Sequence, residues 1–290
     1  MTNQLPTIRK ALQDACSNLA GTSDTTQLDS EILLAHALDR DRTYLHTWPE
    51  KTLTSEQQQT FQHAIQRRLN GEPVAYITGN REFWDMTLHV TPDTLIPRPE
   101  TELLVETVLK IVPADATWNI ADLGTGSGAI ALAIARERPS CQVTATDTSA
   151  EALAVAEKNA NQHGVRNVRF IEGHWFQPIE NDHFQVIVSN PPYVHPNDPH
   201  LQEGDLRFEP TQALQSIPDG LRDIRIITNA ARGHLLPPGW LILEHGYDQG
   251  QATINRFREL GYENVSVVED LSHNERICMG KWEKGWKKDN

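Results

Sequence analysis

Cysteine is scarce in this chain: Cys16, Cys141 and Cys278 are the three among 290 residues. Their odd number and wide spacing exclude a disulfide framework and a clustered zinc site, and they predict a reducing compartment. Long apolar runs are also missing, so no membrane-spanning helix is expected. Residues 1–10 lack an apolar signal core, and the sequence therefore predicts a cytoplasmic protein. Positive charge is in deficit, with 26 Lys and Arg against 39 Asp and Glu, for a net charge of −13. Proteins whose main contacts are phosphates or anionic lipids carry the opposite balance, which disfavours direct nucleic-acid binding and membrane adsorption. Internal repeats and low-complexity segments are absent. The twelve histidines include His195 and His200 in one stretch, but no matching ligand triad accompanies them, so no metal site is predicted.

What is present divides the chain into three parts. Residues 1–75 read as a small helical domain. Leu28–Leu38 is rich in Leu and Ala, and Phe61, Ile65 and Leu69 recur at spacing four on one face of a helix over Ser55–Leu69. Thr54 and Gln57 have capping-box spacing, and Gly71 suits the C-terminal stop. Residues 76–99 mix apolar residues with Gly79, Pro92, Pro97 and Pro99, the pattern of a short hairpin and linker. From residue 100 to 290, strand and helix patterns alternate. Strands are predicted at Trp118–Leu123, Gln142–Asp147, Val168–Glu172, Phe184–Ser189, Trp240–His245, Asn264–Glu269 and Arg276–Lys281. Between them lie helices at Glu100–Val112, Ala129–Arg138, Ser149–Gln162, Asp223–Leu236 and Gln249–Leu260. Such alternation argues for an α/β fold with a doubly wound, mostly parallel seven-stranded sheet. The short Asp270–Glu275 turn makes the last two strands an antiparallel hairpin. A polar, frayed tail is expected over Lys284–Asn290.

Two motifs fall at the carboxyl ends of predicted strands, where open α/β sheets bind ligands. The first is Asp122-Leu123-Gly124-Thr125-Gly126-Ser127-Gly128, between a strand and a helix. Glycine lets the backbone approach a ligand where a Cβ would clash. Asp147 ends the next strand, 23 residues after Gly124, close to the ~20-residue spacing of dinucleotide sites. A carboxylate there can accept from both hydroxyls of a ribose. This pair predicts a nucleotide-type cofactor without choosing between a nicotinamide and S-adenosylmethionine.

The second motif, Asn190-Pro191-Pro192-Tyr193, follows the buried-strand run Phe184–Ser189. Two prolines fix φ and remove two N–H donors. The Asn190 Oδ1 and Pro191 carbonyl can accept from a substrate NH2 group, and Tyr193 offers a flat face to a planar amide or base. An amide nitrogen is a poor nucleophile because its lone pair is delocalised. Holding its hydrogens in strong acceptors raises lone-pair density towards a methyl donor, and in-line alignment supplies up to ~7–11 kcal/mol as effective molarity.

At these residues the sequence resembles the release-factor glutamine methyltransferases. The resemblance extends to Leu95-Ile96-Pro97-Arg98-Pro99-Glu100-Thr101-Glu102, to Gly204-Asp205-Leu206-Arg207-Phe208-Glu209-Pro210, and to Asn274-Glu275-Arg276. It implies a class I S-adenosylmethionine-dependent methyltransferase (a Rossmann-like domain) behind a helical N-terminal domain, and that domain suits either substrate recognition or a role in packing and stability. It implies methylation of the side-chain amide N5 of the glutamine in the Gly-Gly-Gln motif of class-1 peptide chain release factors, with S-adenosylhomocysteine as second product. Carried over by position, Gly124, Thr125, Gly126, Ser127 and Gly128 would line the methionine part of the cofactor and Asp147 its ribose. Trp175 would flank the adenine, and Asn190, Pro191, Pro192 and Tyr193 would hold the glutamine amide, with Asn190 also touching the cofactor. The family usually has Gly-Asp-Trp where this chain has Gly173-His174-Trp175. An acid can bond the adenine amino group, whereas a neutral His does so in one tautomer only. Reduced cofactor affinity follows, unless Asp182 or a backbone carbonyl takes over.

Other readings share parts of this pattern. An adenine-N6 methyltransferase on DNA or RNA would use the same loop, but it also needs a basic recognition region and a base-flipping channel. A non-catalytic binding protein would not need both motifs intact, and a nicotinamide dehydrogenase has no use for Asn-Pro-Pro-Tyr. Ser127 and Ser189 lack a base partner for hydrolase chemistry. Arg98 and Arg207 suit either substrate contact or bracing of the loops, and Glu244-His245-Gly246 suits either pocket shaping or solvation.

Overall fold

The structure is a computed structural model that describes residues 5–284, so the tail expected beyond Lys284 lies outside the described residues. Two compact units divide the chain. One runs to Asn80 and takes in Gln202–Phe208; the other comprises Arg81–Leu201 and the chain from Glu209 onward.

The first unit is helical: α1 (Ile8–Leu19), α2 (Thr26–Leu38), α3 (Arg42–Thr47), α4 (Ser55–Leu69) and α5 (Val74–Thr78). At the start of α4, the Thr54 side chain accepts from Gln57 N while the Gln57 side chain accepts from Thr54 N. These two bonds occupy donors that a helix start would otherwise leave unpaired. Phe61 and Ile65 enter a core with Ile8, Leu19, Leu33, Leu34 and Leu45. Arg68, on the same helix, is buried, and a buried guanidinium requires partners. It finds Asp29 at 2.8 Å and Asp205 at 2.8 Å. That second bond, with Arg207 donating to Asn70 O at 3.2 Å, ties the distant segment Gln202–Phe208 into this unit. Residues 76–78, expected in the linker, instead complete α5.

The second unit begins at Arg81, within the first strand of a hairpin, β1 (Asn80–Phe83) and β2 (Met86–His89), followed by a 3-10 turn at Pro99–Thr101 and α6 (Glu102–Ile111). Then come β3 (Asn119–Leu123), α7 (Ala129–Glu137), β4 (Gln142–Asp147), α8 (Ala150–Gln162), β5 (Val168–Glu172) and β6 (Phe184–Ser189). After the short α9 (Thr211–Leu214) follow α10 (Arg222–His234), β7 (Leu235–Glu244), α11 (Gly250–Leu260), β8 (Glu263–Glu269) and β9 (Glu275–Trp282). The seven-stranded sheet has the order β5-β4-β3-β6-β7-β9-β8. All pairs through β7 are parallel, and β9 is antiparallel to both neighbours.

Helices cover both faces, so the central strands read as continuous apolar runs. Ile120, Val186, Val188 and Ile242 face one core with Leu104, Val108 and Ile134. Ala121, Leu123, Ile187 and Leu241 face the other with Ile224, Ile227 and Phe257. Many of the expected limits shift by one or two residues, and one junction departs further. The helix predicted to reach Leu236 stops at His234, and β7 starts at Leu235 rather than Trp240. Leu236 precedes a proline, which pushes it out of helical φ/ψ, and Leu235 pairs with Phe184 of β6 instead. No helix among the described residues is long and apolar enough to cross a membrane.

Candidate active site

Strand register brings the two motifs together. Leu123 pairs with Thr146 on one side and with Ser189 on the other, and Ser189 pairs with Leu243. The next residues, Gly124, Asp147, Asn190 and Glu244, therefore leave four adjacent strands at the same edge. The Ser189 hydroxyl donates to Leu123 O at 2.6 Å, so it serves as a stitch at that edge.

The glycine loop folds over β4, with Gly124 N and Thr125 N both donating to Thr146 O, at 2.8 and 3.0 Å. Asp147 accepts from Gly126 N on Oδ2 at 2.8 Å and from Ser149 N on Oδ1 at 3.0 Å. A carboxylate offers about four lone-pair sites, so each oxygen keeps capacity for one further donor, an arrangement suited to a vicinal diol. Gly126 adopts φ +55°, and a Cβ built on it would meet nothing within 4 Å. It borders a cavity of about 540 Å³, which Gly124, Asp147, Trp175, Asn190 and Pro192 also line. Trp175 has φ +50°, and its carbonyl accepts from Thr146 Oγ1 at 3.2 Å. Its ring lies against Gly124, where an added Cβ would come within 3.1 Å of Cζ3. Glycine at 124 therefore makes room for the tryptophan. The indole Nε1 is buried without a hydrogen-bond partner among the described residues.

Asn190 is oriented by a residue from a different part of the chain. Its Nδ2 donates to Thr101 Oγ1 at 3.2 Å, which leaves Oδ1 as the free acceptor. Pro191 is buried and Pro192 borders the cavity. Tyr193 donates its hydroxyl to Glu244 Oε1 at 3.2 Å, and its carbonyl accepts from Gln249 Nε2 at 2.9 Å. Burial, then the adjacent Glu244 carboxyl, push the Tyr193 phenol well above its ordinary pKa. Asp122, fully buried below the glycine loop, is pushed up to about 7 by burial, although Thr125 Oγ1 donates to it at 2.7 Å.

The cradle at Gly126, the spare acceptors of Asp147 and the orphaned Trp175 Nε1 fit a nucleoside-bearing cofactor. The family model described as the PrmC N-terminal domain matches residues 10–79, and that of the methyltransferase small domain matches residues 99–204. A release factor glutamine methyltransferase of Aliivibrio fischeri is 49% identical over 261 residues, which is 90% of this chain and 92% of that protein. Its counterpart in Pseudomonas aeruginosa is 51% identical over 260 residues, 90% of this chain and 94% of the relative. This chain belongs to the release factor glutamine methyltransferase family. In fold it is also similar to a methyltransferase from Pyrococcus furiosus, at TM-score 0.54 and 18% identity over 76% of this chain and 98% of that one. The architecture is that of class I S-adenosylmethionine-dependent methyltransferases.

For a member of the release factor glutamine methyltransferase family, the cavity gathers Gly124, Gly126, Asp147, Trp175, Asn190 and Pro192, six of the residues singled out from sequence. Thr125, Ser127, Gly128, Pro191 and Tyr193 do not line it. The Thr125 hydroxyl is committed to Asp122. Gly128, at φ +84°, sits where a Cβ would approach Ala156 Cβ at 3.1 Å and Leu132 Cδ1 at 3.2 Å, so it serves helix packing. His174 borders the cavity. Asp182, considered as a substitute for the missing acid, is paired with Arg169 at 2.5 Å and does not line the cavity. Arg98 is paired with Glu209, which also accepts from Ile96 N at 3.0 Å. It thus braces the segment that carries Leu95 to the cavity.

Two residues noted in the sequence only inside longer motifs, Thr101 and Glu244, and one not noted there, Asn159, support the site. Thr101 orients Asn190. Glu244, noted only as part of a strand-end tripeptide, holds Tyr193. Asn159 of α8 donates to Ser127 O at 2.9 Å and to His89 O at 3.0 Å, joining the glycine loop to the hairpin. Local pattern carries no signal for such long-range polar contacts. The one available hint was Thr101 inside the Leu95–Glu102 motif.

Proposed function

We propose that this protein transfers a methyl group from S-adenosylmethionine to the side-chain amide N5 of a glutamine, the one in the Gly-Gly-Gln motif of class-1 peptide chain release factors. The observation that carries this reading is the Asn190 amide. Its nitrogen is tied to Thr101, which leaves its oxygen as an acceptor, and it lines the same cavity as Gly126 and Asp147. Bound there, S-adenosylmethionine supplies a sulfonium-activated methyl group and leaves as S-adenosylhomocysteine.

The residues of the chain do the rest. Asp147 takes the ribose hydroxyls on its spare lone pairs. Gly124 and Gly126 leave space for the methionyl part. Asn190 Oδ1 and the Pro191 carbonyl accept the two amide hydrogens, fixing the nitrogen and enriching its lone pair. The ring constraints of Pro191 and Pro192 keep these acceptors rigid, so little reorganisation accompanies reaction. No side-chain base is required, because the methylated nitrogen carries a proton acidic enough to pass to water. The helical unit, to which Arg68 and Arg207 tie the segment after the Asn-Pro-Pro-Tyr loop, reads as the part that recognises the release factor. A substrate of the translation machinery supports a cytoplasmic location for the reaction.

Incubation of the full chain with unmodified release factor and labelled S-adenosylmethionine, followed by peptide mass spectrometry, tests this. One methyl group on the Gly-Gly-Gln glutamine is expected. Absence of label, or label on another residue, would overturn the reading.

A further inference from the structure

We propose that Asp223 recognises the 6-amino group of the cofactor's adenine and so sets the preference of this protein for an adenosyl cofactor. The inference rests on the cofactor of the reading above, not on its protein substrate, and deepens it. The sheet order β5-β4-β3-β6 lays the cofactor out along the active edge. Its methyl group must reach Asn190, which follows β6, and its ribose must reach Asp147, which ends β4. The base therefore extends past β4 towards the end of β5, where His174 and Trp175 border the cavity. Helix α10 packs beside the segment that leaves β5. Phe176 stacks on His234 with ring centroids 4.4 Å apart, and His234 Nδ1 bonds Asp182 O at 3.0 Å. Ile224 and Ile227 of the same helix share a core with Trp175 and Phe176. The opposite end of α10 carries Asp223 to the border of the cavity.

The carboxylate is held in one orientation. Asp223 is 6% exposed. The Ser216 hydroxyl donates to its Oδ2 at 2.6 Å and accepts from its backbone N at 3.1 Å. Oδ1 accepts no hydrogen bond among the described residues. A carboxylate is acceptor-only, and a largely buried acceptor without a donor opposes stability, so this oxygen calls for a donor in the cavity. The cofactor has three kinds of donor. Its ribose hydroxyls meet Asp147, and its ammonium lies beyond the sulfur, at the methionyl end. The 6-amino group is the donor at the base end. It has two hydrogens, so Asp223 takes one and the other is left towards His174. Ile217, next to Ser216, lines the same cavity and is 58% exposed. A purine face would cover this apolar side chain, in keeping with ligand sites that combine apolar walls with a few fixed polar groups.

The test measures, by calorimetry on full chains, binding of S-adenosylhomocysteine and of S-inosylhomocysteine, which has a 6-oxo group in place of the 6-amino group. Wild type should prefer the adenosyl compound roughly 10- to 100-fold, because the 6-oxo group leaves a buried carboxylate unpaired. Asp223→Asn keeps the side-chain volume. Ser216 accepts from the backbone N and donates to the side-chain oxygen, which turns the new NH2 group to the cavity. That group opposes the 6-amino group and donates to the 6-oxo group. The preference should fall at least about 10-fold, with the inosyl compound gaining affinity. In His174→Ala the preference should stay within about 3-fold of wild type. An unchanged preference in Asp223→Asn overturns the proposal. So does equal weakening of both compounds, the mark of a carboxylate that meets the cofactor's ammonium or only supports the fold. If Asp223→Asn does not fold, Ser216→Ala decides: a freed carboxylate should narrow the preference at least about 3-fold, and an unchanged preference overturns the proposal. A wild type that binds neither compound would overturn the cofactor and this inference with it. A chain that discriminates as stated but does not methylate release factor would sink the substrate reading alone.

Discussion

Replacing Asn190 by alanine separates catalysis from cofactor binding in one side chain. The substitution removes Oδ1, the acceptor proposed for the substrate amide, and leaves Thr101 Oγ1 without its donor from Nδ2. As the methyl group arrives, the amide nitrogen gains positive charge and its N–H groups become stronger donors. The lost bond is therefore charge-assisted at the transition state and contributes about 1.5–3 kcal/mol, roughly 10- to 150-fold in rate. Loose positioning of the amide adds about a further 100-fold, for a total fall in kcat of about 10³- to 10⁴-fold. Cofactor affinity should change by less than about 3-fold, because Asp147 and the glycine loop are anchored by backbone bonds that the substitution does not touch. Destabilisation should stay near 1 kcal/mol, a Tm shift of about 2–4 °C. Single-turnover methylation, cofactor calorimetry and thermal melting measure the three quantities. A kcat within tenfold of wild type, with unmodified release factor as substrate, would refute the role of Asn190.

Other outcomes follow from the same geometry. Both Gly126→Ala and Gly128→Ala strain a backbone of positive φ, but only Gly128→Ala also drives a Cβ against Ala156 and Leu132, so it should lower Tm more, whereas Gly126→Ala, whose Cβ enters open space at the cavity, should weaken cofactor binding more; calorimetry beside melting curves distinguishes them. His174→Asp restores the acid usual in the family at the cavity border and should tighten S-adenosylmethionine binding about 3- to 10-fold through one added hydrogen bond, and unchanged affinity would refute the reasoning. Asp122, raised to about 7 by burial, holds a proton in the folded protein that the unfolded chain releases near the ordinary aspartate value of 3.8. Its stabilising contribution is complete below that value and is lost as pH rises to about 7, so Tm should decline across this window and Asp122→Asn should flatten the decline.

Much of the fold was legible because it rests on local pattern. Gln142–Asp147, Val168–Glu172 and Phe184–Ser189 read as strands from apolar runs bounded by turn residues, and they form strands with those limits. The helix at Ser55–Leu69 followed from spacing four and a capping box, both governed by residues a few positions apart. The boundary at Leu235 was misread because a strand partner, Phe184, outweighs the helical pattern that precedes it. Joining Gln202–Phe208 to the helical unit was not legible either, since Arg68 and Asp205 are 137 residues apart.

The cysteine count, the acidic balance and the two strand-end motifs were properties of the sequence by itself. They sufficed to specify a cofactor of nucleoside type and an NH2-bearing planar substrate, because each motif acts through the backbone conformations its own glycines and prolines allow. Which motif residues face the cavity was decided only by tertiary structure. Thr125 and Ser127 lie in the glycine loop yet do not line the cavity, and Tyr193 is turned to Glu244. The partner of Asn190 comes from a turn 89 residues earlier, and that of Tyr193 from a strand 51 residues later. Their meeting depends on sheet register, which sets Ser189 against Leu123 and Leu243. Register is a property of paired strands, and no single stretch of sequence contains it.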